Sequence, residues 1–396
     1  MNQLHGVRSL ATSWRPRPLT GSAAIIAAWL LVRFVMSFFI HPSISGDQPG
    51  YVQAAREVIA SHGTILARQS PGYVVFLASV LWLGPRGVYA VQSLLTLGTA
   101  LFTMRRLGFW QGFVIAACPF FVTWEWELLT ETLCFTALWC GWLLIFWRRS
   151  AADPALGALC LAIAVLARPI LALLPIAAAA VLLFRRQKRK ALAVLTTALV
   201  PIAAGLIQAT GPSYFGMNMW FGTWERNPRW LTRSMTDWPE EAHLTREERA
   251  QLPSGFVDED DRAFLNAAIK RYETAPVQAV SSWFVRYRFL WIGTRTEYTS
   301  GVRYTVASLT FKASMWLLNF GVLLFGLLGG LTAFRRRDPE ALFLVPIAYV
   351  ALVYLPFHST ELRYSIVAVP FLLGLAVYQI QTPGNSFGFD RSKSTV

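Results

Sequence analysis

The sequence predicts an all-α polytopic membrane protein of about ten crossings, or eleven, with an interfacial helix in its first outer loop. Three observations carry this. Of 396 residues, 55% are hydrophobic and 15% charged, whereas soluble domains carry about 25% charged residues. Apolar runs such as 23–40, 191–209 and 317–334 approach the ~20 residues that cross a hydrocarbon core. They recur along the chain, so one cleaved signal peptide does not account for them. Finally, the net charge of +14 is distributed in short basic blocks between apolar runs, at Arg185–Lys190 and at Arg335–Arg337. Cytoplasmic loops have this form under the positive-inside rule. Nucleic-acid binding would instead need a basic face on a folded domain, and the sequence offers none.

Residues 1–20 hold Arg8, Arg15 and Arg17 and no acid, which places them in the cytoplasm. The first span covers 21–40 and the first outer loop 41–70. Within that loop the stretch after Asp47 reads as a short amphipathic helix, with Tyr51, Ala55, Val58 and Ile59 on one face. Segment 71–84 is short for a full crossing and reads as re-entrant or tilted at the interface. Further apolar segments follow at 87–104, 109–124, 128–147, 155–184, 191–211, 306–334, 340–356 and 364–381. The stretch 155–184 is interrupted by Arg168-Pro169 and reads as a hairpin of two short spans, with Arg168 on the outer side.

Three units result: a transmembrane module over 1–211, an extracytoplasmic loop or cap over 212–305, and a C-terminal transmembrane module over 306–396. The 212–305 loop balances 12 acidic against 12 basic residues, so the rest of the chain carries the whole positive excess. A helix is expected there around Asp260–Tyr272. The four cysteines, Cys118, Cys134, Cys140 and Cys160, lie in apolar segments and read as buried small hydrophobes. Neither a convincing internal repeat nor a low-complexity tract is present, and phosphate-binding glycine loops and zinc motifs are absent from the sequence.

This topology gathers ionisable residues on the outer side. Asp47, Arg56, Glu57 and Arg68 lie in the first loop, and Glu125, Glu127 and Glu131 precede an outer-starting span. Arg168 sits in the hairpin, and His358, Glu361 and Arg363 lie in the last outer loop. Charges near hydrocarbon are costly, so they pair, line a polar cavity or bind a ligand. Asp47 fits a helix N-cap, and equally a general base that takes a proton from an acceptor hydroxyl. Arg168 fits snorkelling to the interface, or phosphate binding through its planar fork of donors. Arg363 offers a second cation, or a partner for Glu361. Glu131 fits a first-turn acid favoured by the helix dipole. Trp220, Trp224 and Trp230 read as interfacial anchors or as platforms for a sugar ring.

Several of these residues carry a family resemblance. Gly46-Asp47-x-x-x-Tyr51 and Ser70-Pro71-Gly72-Tyr73-x-x-Phe76-Leu77 are followed in order by Leu129-Thr-Glu131-Thr-Leu133, Leu166-Ala-Arg168-Pro169 and Glu361-Leu-Arg363-Tyr364, then Pro370. Together they resemble the GT-C polyprenyl-phosphate-sugar transferases, which include protein O-mannosyltransferases and lipid A aminoarabinose transferases. The resemblance covers most of the chain outside 212–305. It implies a GT-C-like helical bundle in the inner (cytoplasmic) membrane, with its active site facing the periplasm. It also implies inverting transfer of a sugar from a polyprenyl-phosphate donor to a lipid, glycan or protein acceptor.

Carried over, Asp47 is the general base, and Arg168 and Arg363 hold the donor phosphate. Tyr51, Arg56, Glu57, Arg68, Glu131, His358 and Glu361 line the cavity. Two departures stand out: Gln48 occupies the place of a second first-loop acid, and Arg68-Gln69-Ser70 precedes the Pro-Gly-Tyr turn where other members carry an acid. The expectation is therefore no bound metal and no cofactor. A flippase or transporter of a lipid-linked saccharide remains a second reading, and a catalytically inactive polyprenyl-phosphate binder a third.

Overall fold

A computed structural model of the protein describes residues 18–40, 47–61, 69–208, 215–223, 261–292, 306–357 and 362–382. Among the described residues all regular structure is helical, and four stretches are long and apolar enough to cross a membrane: Leu19–Met36, Pro71–Leu107, Leu309–Arg336 and Arg363–Gln381. Shorter apolar helices cover Glu131–Phe146, Asp153–Ala167, Pro169–Phe184 and Pro339–Val353.

In order, the helices are α1 (Pro18–Met36), α2 (Gln48–Ala60), α3 (Pro71–Val80), α4 (Gly84–Leu107), α5 (Phe109–Ala116) and α6 (Pro119–Glu125). There follow α7 (Glu131–Phe146), α8 (Asp153–Ala167), α9 (Leu174–Phe184), α10 (Lys188–Gln208) and α11 (Phe215–Gly222). The last five are α12 (Asp261–Thr274), α13 (Pro276–Trp291), α14 (Val306–Arg336), α15 (Leu344–Val353) and α16 (Val369–Gln381).

The breaks between them have local causes. Pro119 cannot donate to the helix that precedes it, so the expected 109–124 segment is two helices, α5 and α6, joined at Ala117-Cys118. Gly108 (φ +127) ends α4, and Gly84 (φ +72) separates α4 from the short 3-10 turn Leu81–Leu83. Proline disfavours a helical conformation in the residue before it. Arg168, ahead of Pro169, is accordingly extended (φ −149, ψ 90), and α8 stops at Ala167. The helix expected at Asp260–Tyr272 is α12.

The face of α2 differs from the expectation. Its buried residues are Gln48, Tyr51, Ala54 and Ala55, while Ile59 is 51% exposed. A polar residue, Gln48, leads the buried stripe, which an apolar pattern does not reveal. Among the cysteines, Cys118 and Cys134 are buried while Cys140 and Cys160 are partly exposed.

Close helix approach is made by glycine. A Cβ on Gly141 of α7 would lie 2.8 Å from the Gly157 carbonyl of α8, and one on Gly157 would lie 2.7 Å from the Gly141 carbonyl. In an apolar surround, where hydrophobic driving force between helices is weak, small residues let backbones meet and gain dispersion contact. Gly329 of α14 does the same against the carbonyl of Leu375 in α16. The outer face of α14 presents Leu317, Phe320, Leu327 and Phe334, all more than half exposed, an apolar surface that suits lipid.

Helix α4 ties two polar ends together. Near its start, Gln92 donates to the carbonyls of Glu125 and Glu127, each at 2.8 Å. Near its end, Arg106 donates to the Trp147 carbonyl at 3.0 Å and to Asp153 at 2.6 Å. At 1.5 Å rise per residue these anchor points are roughly 21 Å apart. The basic blocks gather at the Arg106 end: Arg149 donates to the Arg105 carbonyl, Lys190 lies within electrostatic reach of Arg148, and Arg336 lies near Tyr378 of α16, whose last residue Gln381 meets Gln111 of α5.

Gly157→Val should overpack the α7–α8 seam, at a cost of about 1–3 kcal/mol, and lower the melting temperature in detergent. Gly98→Ala, on an exposed face of α4 with nothing within 4 Å of its Cβ, should instead stabilise by up to ~1 kcal/mol and hold or raise the melting temperature. Thermal-shift measurement of both variants separates the two effects.

Candidate functional site

The polar end near Gln92 is built outward from a buried ion pair. Arg33 of α1 meets Glu125, the last residue of α6, through two hydrogen bonds, one of them Nε to Oε2 at 3.0 Å. Glu125 also accepts from Ser93 Oγ at 2.8 Å, and Arg33 Nη1 donates to the carbonyls of Trp29 and Ala116. A buried charge pair is tolerable when its remaining hydrogen-bonding groups are also engaged, as they are here. The pair and Gln92 fix the strap 126–130 that leads into α7. Tyr73 of α3 in turn donates to Gln92 Oε1 at 3.1 Å.

The strap holds α2. Gln48 is fully buried; its amide nitrogen donates to Glu127 and its amide oxygen accepts from Leu128 N–H at 3.0 Å. Glu127 is pushed up to about 8 by burial first and by Glu131 second, against the opposing pull of Arg363 and Gln48. Tyr51, one turn further on, packs edge-on against Tyr73 with ring centroids 5.2 Å apart and bonds the Ser70 side chain. Burial pushes its hydroxyl up to about 12.

Asp47 occupies the N-cap position of α2, yet its side chain makes no capping hydrogen bond. It accepts instead from Arg363 Nη1 at 3.0 Å, across 316 positions of sequence. Its side chain is 49% exposed, so one face of the carboxylate stays open to solvent.

Arg168 and Glu131 form a second ion pair, Nη2 to Oε1 at 2.6 Å, between the end of α8 and the first turn of α7. Arg168 is 9% exposed and therefore does not snorkel outward. Its Nη1 is buried without a hydrogen-bond partner among the described residues. The guanidinium lies 5.2 Å from the centroid of the Tyr364 ring, and that of Arg363 lies 5.1 Å from the same ring. Tyr364 stacks on Tyr354 at 5.2 Å and 24°. The Tyr354 hydroxyl is likewise buried and without a partner among the described residues. Gly72 brings α3 under this group: a Cβ there would lie 2.8 Å from the backbone of Leu166 and Ala167.

Five sequence-predicted residues thus converge: Asp47, Tyr51, Glu131, Arg168 and Arg363. Arg56 and Glu57 do not join them; Arg56 is exposed, and Glu57 accepts from Gln53 at 2.9 Å along the same helix. Arg68, His358 and Glu361 lie outside the described residues, as do Trp224 and Trp230. Trp220 is buried against Phe264 of α12, with centroids 5.8 Å apart, so it is neither an interfacial anchor nor an open stacking platform.

Sequence reasoning passed over Arg33, Gln92 and Tyr354. A lone arginine in an apolar span was the available signal for the first, since such a charge demands a partner. The other two carry no local signal, being one amide and one aromatic in apolar sequence. Among the described residues no group of three or more His, Cys, Asp or Glu side chains could hold a metal ion.

Chemically, the cluster offers two arginines flanking one ring, a partly exposed carboxylate beside one of them, and two buried donors with no acceptor among the described residues. Arg168→Met should cost about 3–5 kcal/mol by leaving Glu131 buried alone, and the double variant with Glu131→Gln should recover most of that; chemical or thermal unfolding in detergent reads both. Glu127 takes up a proton on folding between its ordinary value of 4.5 and about 8. Its contribution to stability is therefore fully present below pH 4.5 and is lost as pH rises to about 8. Glu127→Gln should flatten the dependence of melting temperature on pH over that window, with the largest gain over wild type at its alkaline end.

No protein-family model, curated protein or solved structure matches this chain, and the chemistry of this cluster is what bears on its function.

Proposed function

We propose that the protein is an integral membrane glycosyltransferase that moves a sugar from a polyprenyl-phosphate donor to an acceptor hydroxyl, with inversion. The observation that carries this is Arg168, whose buried Nη1 has no hydrogen-bond partner among the described residues, set across one tyrosine ring from Arg363 and its partner Asp47. A buried guanidinium donor without an acceptor is costly, and an anionic oxygen relieves that cost. The order of the sequence motifs supports the same reading.

In this mechanism the acceptor oxygen attacks the sugar C1 from the face opposite the phosphate. The C1–O bond to phosphate breaks as the new glycosidic bond forms. Asp47 takes the acceptor proton. The leaving polyprenyl phosphate gains negative charge, which Arg168 and Arg363 stabilise where it develops. Before substrate binds, Arg363 occupies the Asp47 carboxylate. An arriving phosphate competes for that arginine and leaves Asp47 able to receive the proton.

Topology follows the charge. The basic end belongs in the cytoplasm under the positive-inside rule, so the cluster faces outward, toward the periplasm in the cytoplasmic membrane of a cell with two membranes. Crossings by α1, α4, α5–α6, α7, α8, α9, α10, α14, the 3-10 turn Pro339–Phe343 with α15, and the 3-10 stretch Leu362–Ala368 with α16 would give about ten. A membrane-borne donor reaches such a site laterally, and the acceptor is a lipid, glycan or protein hydroxyl.

The Asp47–Arg363 pair also supports a second reading, a polyprenyl-phosphate binder without turnover, because an arginine already occupies that carboxylate. One assay separates the two. Purified protein in nanodiscs is given a panel of polyprenyl-phosphate monosaccharides, and released polyprenyl phosphate is followed. Transfer by wild type with a loss of about 10²–10⁴ in Asp47→Asn, at unchanged folding, is expected. No release from any donor, with lipid binding retained, would leave the binder standing in its place.

A further inference from the structure

The basic end of the bundle carries a feature that topology alone does not require. Among the described residues, Arg186 and Arg337 are the only non-glycine residues with positive φ, each at 59°. Both follow helix C-termini, of α9 and of α14, and both sit in the same cap. Arg186 N–H bonds the Leu183 carbonyl and Gln187 N–H bonds the Leu182 carbonyl. Arg337 N–H bonds the Phe334 carbonyl and Asp338 N–H bonds the Ala333 carbonyl. Glycine is the residue this left-handed position favours, because a Cβ crowds the following carbonyl. Arginine stands there twice.

The surroundings give a reason. Both arginines are exposed, and each follows exposed apolar side chains on its own helix: Leu183 and Phe184 at 50% and 89%, Leu331 and Phe334 at 45% and 67%. An apolar collar ending in a guanidinium matches the boundary between acyl chains and headgroups. Asp338, next to Arg337 in sequence, accepts from the Tyr378 hydroxyl. Strained backbone persists where something else is gained from it.

We infer that the left-handed arginines Arg186 and Arg337 dock anionic phospholipid headgroups at this end of the bundle, the phosphate meeting the guanidinium while the acyl chains lie on the exposed phenylalanines. Each basic residue near an anionic surface adds about 1 kcal/mol, so two contribute roughly a thirtyfold change in affinity. The inference rests on the chain spanning a bilayer and is independent of glycosyl transfer.

The test uses the full chain in neutral detergent, titrated with dioleoyl phosphatidylglycerol, dioleoyl phosphatidylcholine or inorganic phosphate, and reads melting temperature. Phosphatidylglycerol should raise it in wild type, with no comparable rise from the other two. Arg186→Gly with Arg337→Gly should melt at the same temperature or higher without lipid, since the backbone strain is relieved. It should also need about thirtyfold more phosphatidylglycerol for half its effect. Arg186→Lys with Arg337→Lys should keep most of the response. A double-glycine variant with the wild-type phosphatidylglycerol response overturns the proposal, as does an equal shift from inorganic phosphate.

Discussion

The buried ion pair between Arg33 and Glu125 is the contact on which the polar end of the bundle depends. A lone charge among these apolar helices would be expensive, and each partner makes the other affordable. Glu125 closes α6 and opens the strap 126–130, so pairing it to α1 and to Ser93 of α4 sets where that strap runs. From the strap, Glu127 and Leu128 capture Gln48 and so fix the start of α2. At its far end Glu131 takes Arg168. The position of Asp47 beside Arg363 thus follows from a contact several residues and one helix away.

That dependence explains what the sequence could and could not disclose. The all-helical character, most helix limits and the break at Arg168-Pro169 are local properties, set by apolar run length and by proline. Convergence is not local: Asp47 meets Arg363 across 316 positions and Arg33 meets Glu125 across 92. The motif resemblance brought Asp47, Glu131, Arg168 and Arg363 into one hypothesis, but it did not disclose that the four stand as two ion pairs. Gln48 shows the limit most clearly. In sequence it is a missing acid; in the fold it is a buried amide with a donor and an acceptor both used, a role that an apolar-face pattern hides. Tyr354 was illegible for a related reason, since its hydroxyl matters only beside Arg168.

The two ends of the bundle solve opposite electrostatic problems. Around Asp47 the charges are few, paired and partly buried, which keeps an apolar interior tolerable while leaving donors available to a ligand. At the Arg106 end the charges are many, mostly basic and exposed. Glycine seams such as Gly141–Gly157 let the intervening helices pack closely enough to hold these ends in register. A membrane-borne phosphate could therefore meet arginine at either face, with burial separating a stabilised, selective contact from a diffuse one.

The measurement that bears most directly on the central claim is the structure of the protein with polyprenyl phosphate bound, by cryo-electron microscopy in nanodiscs. The account predicts phosphate density against Arg168 Nη1 and Arg363, with the Asp47–Arg363 contact opened. Phosphate bound elsewhere, or bound while Asp47 and Arg363 remain paired, would contradict it.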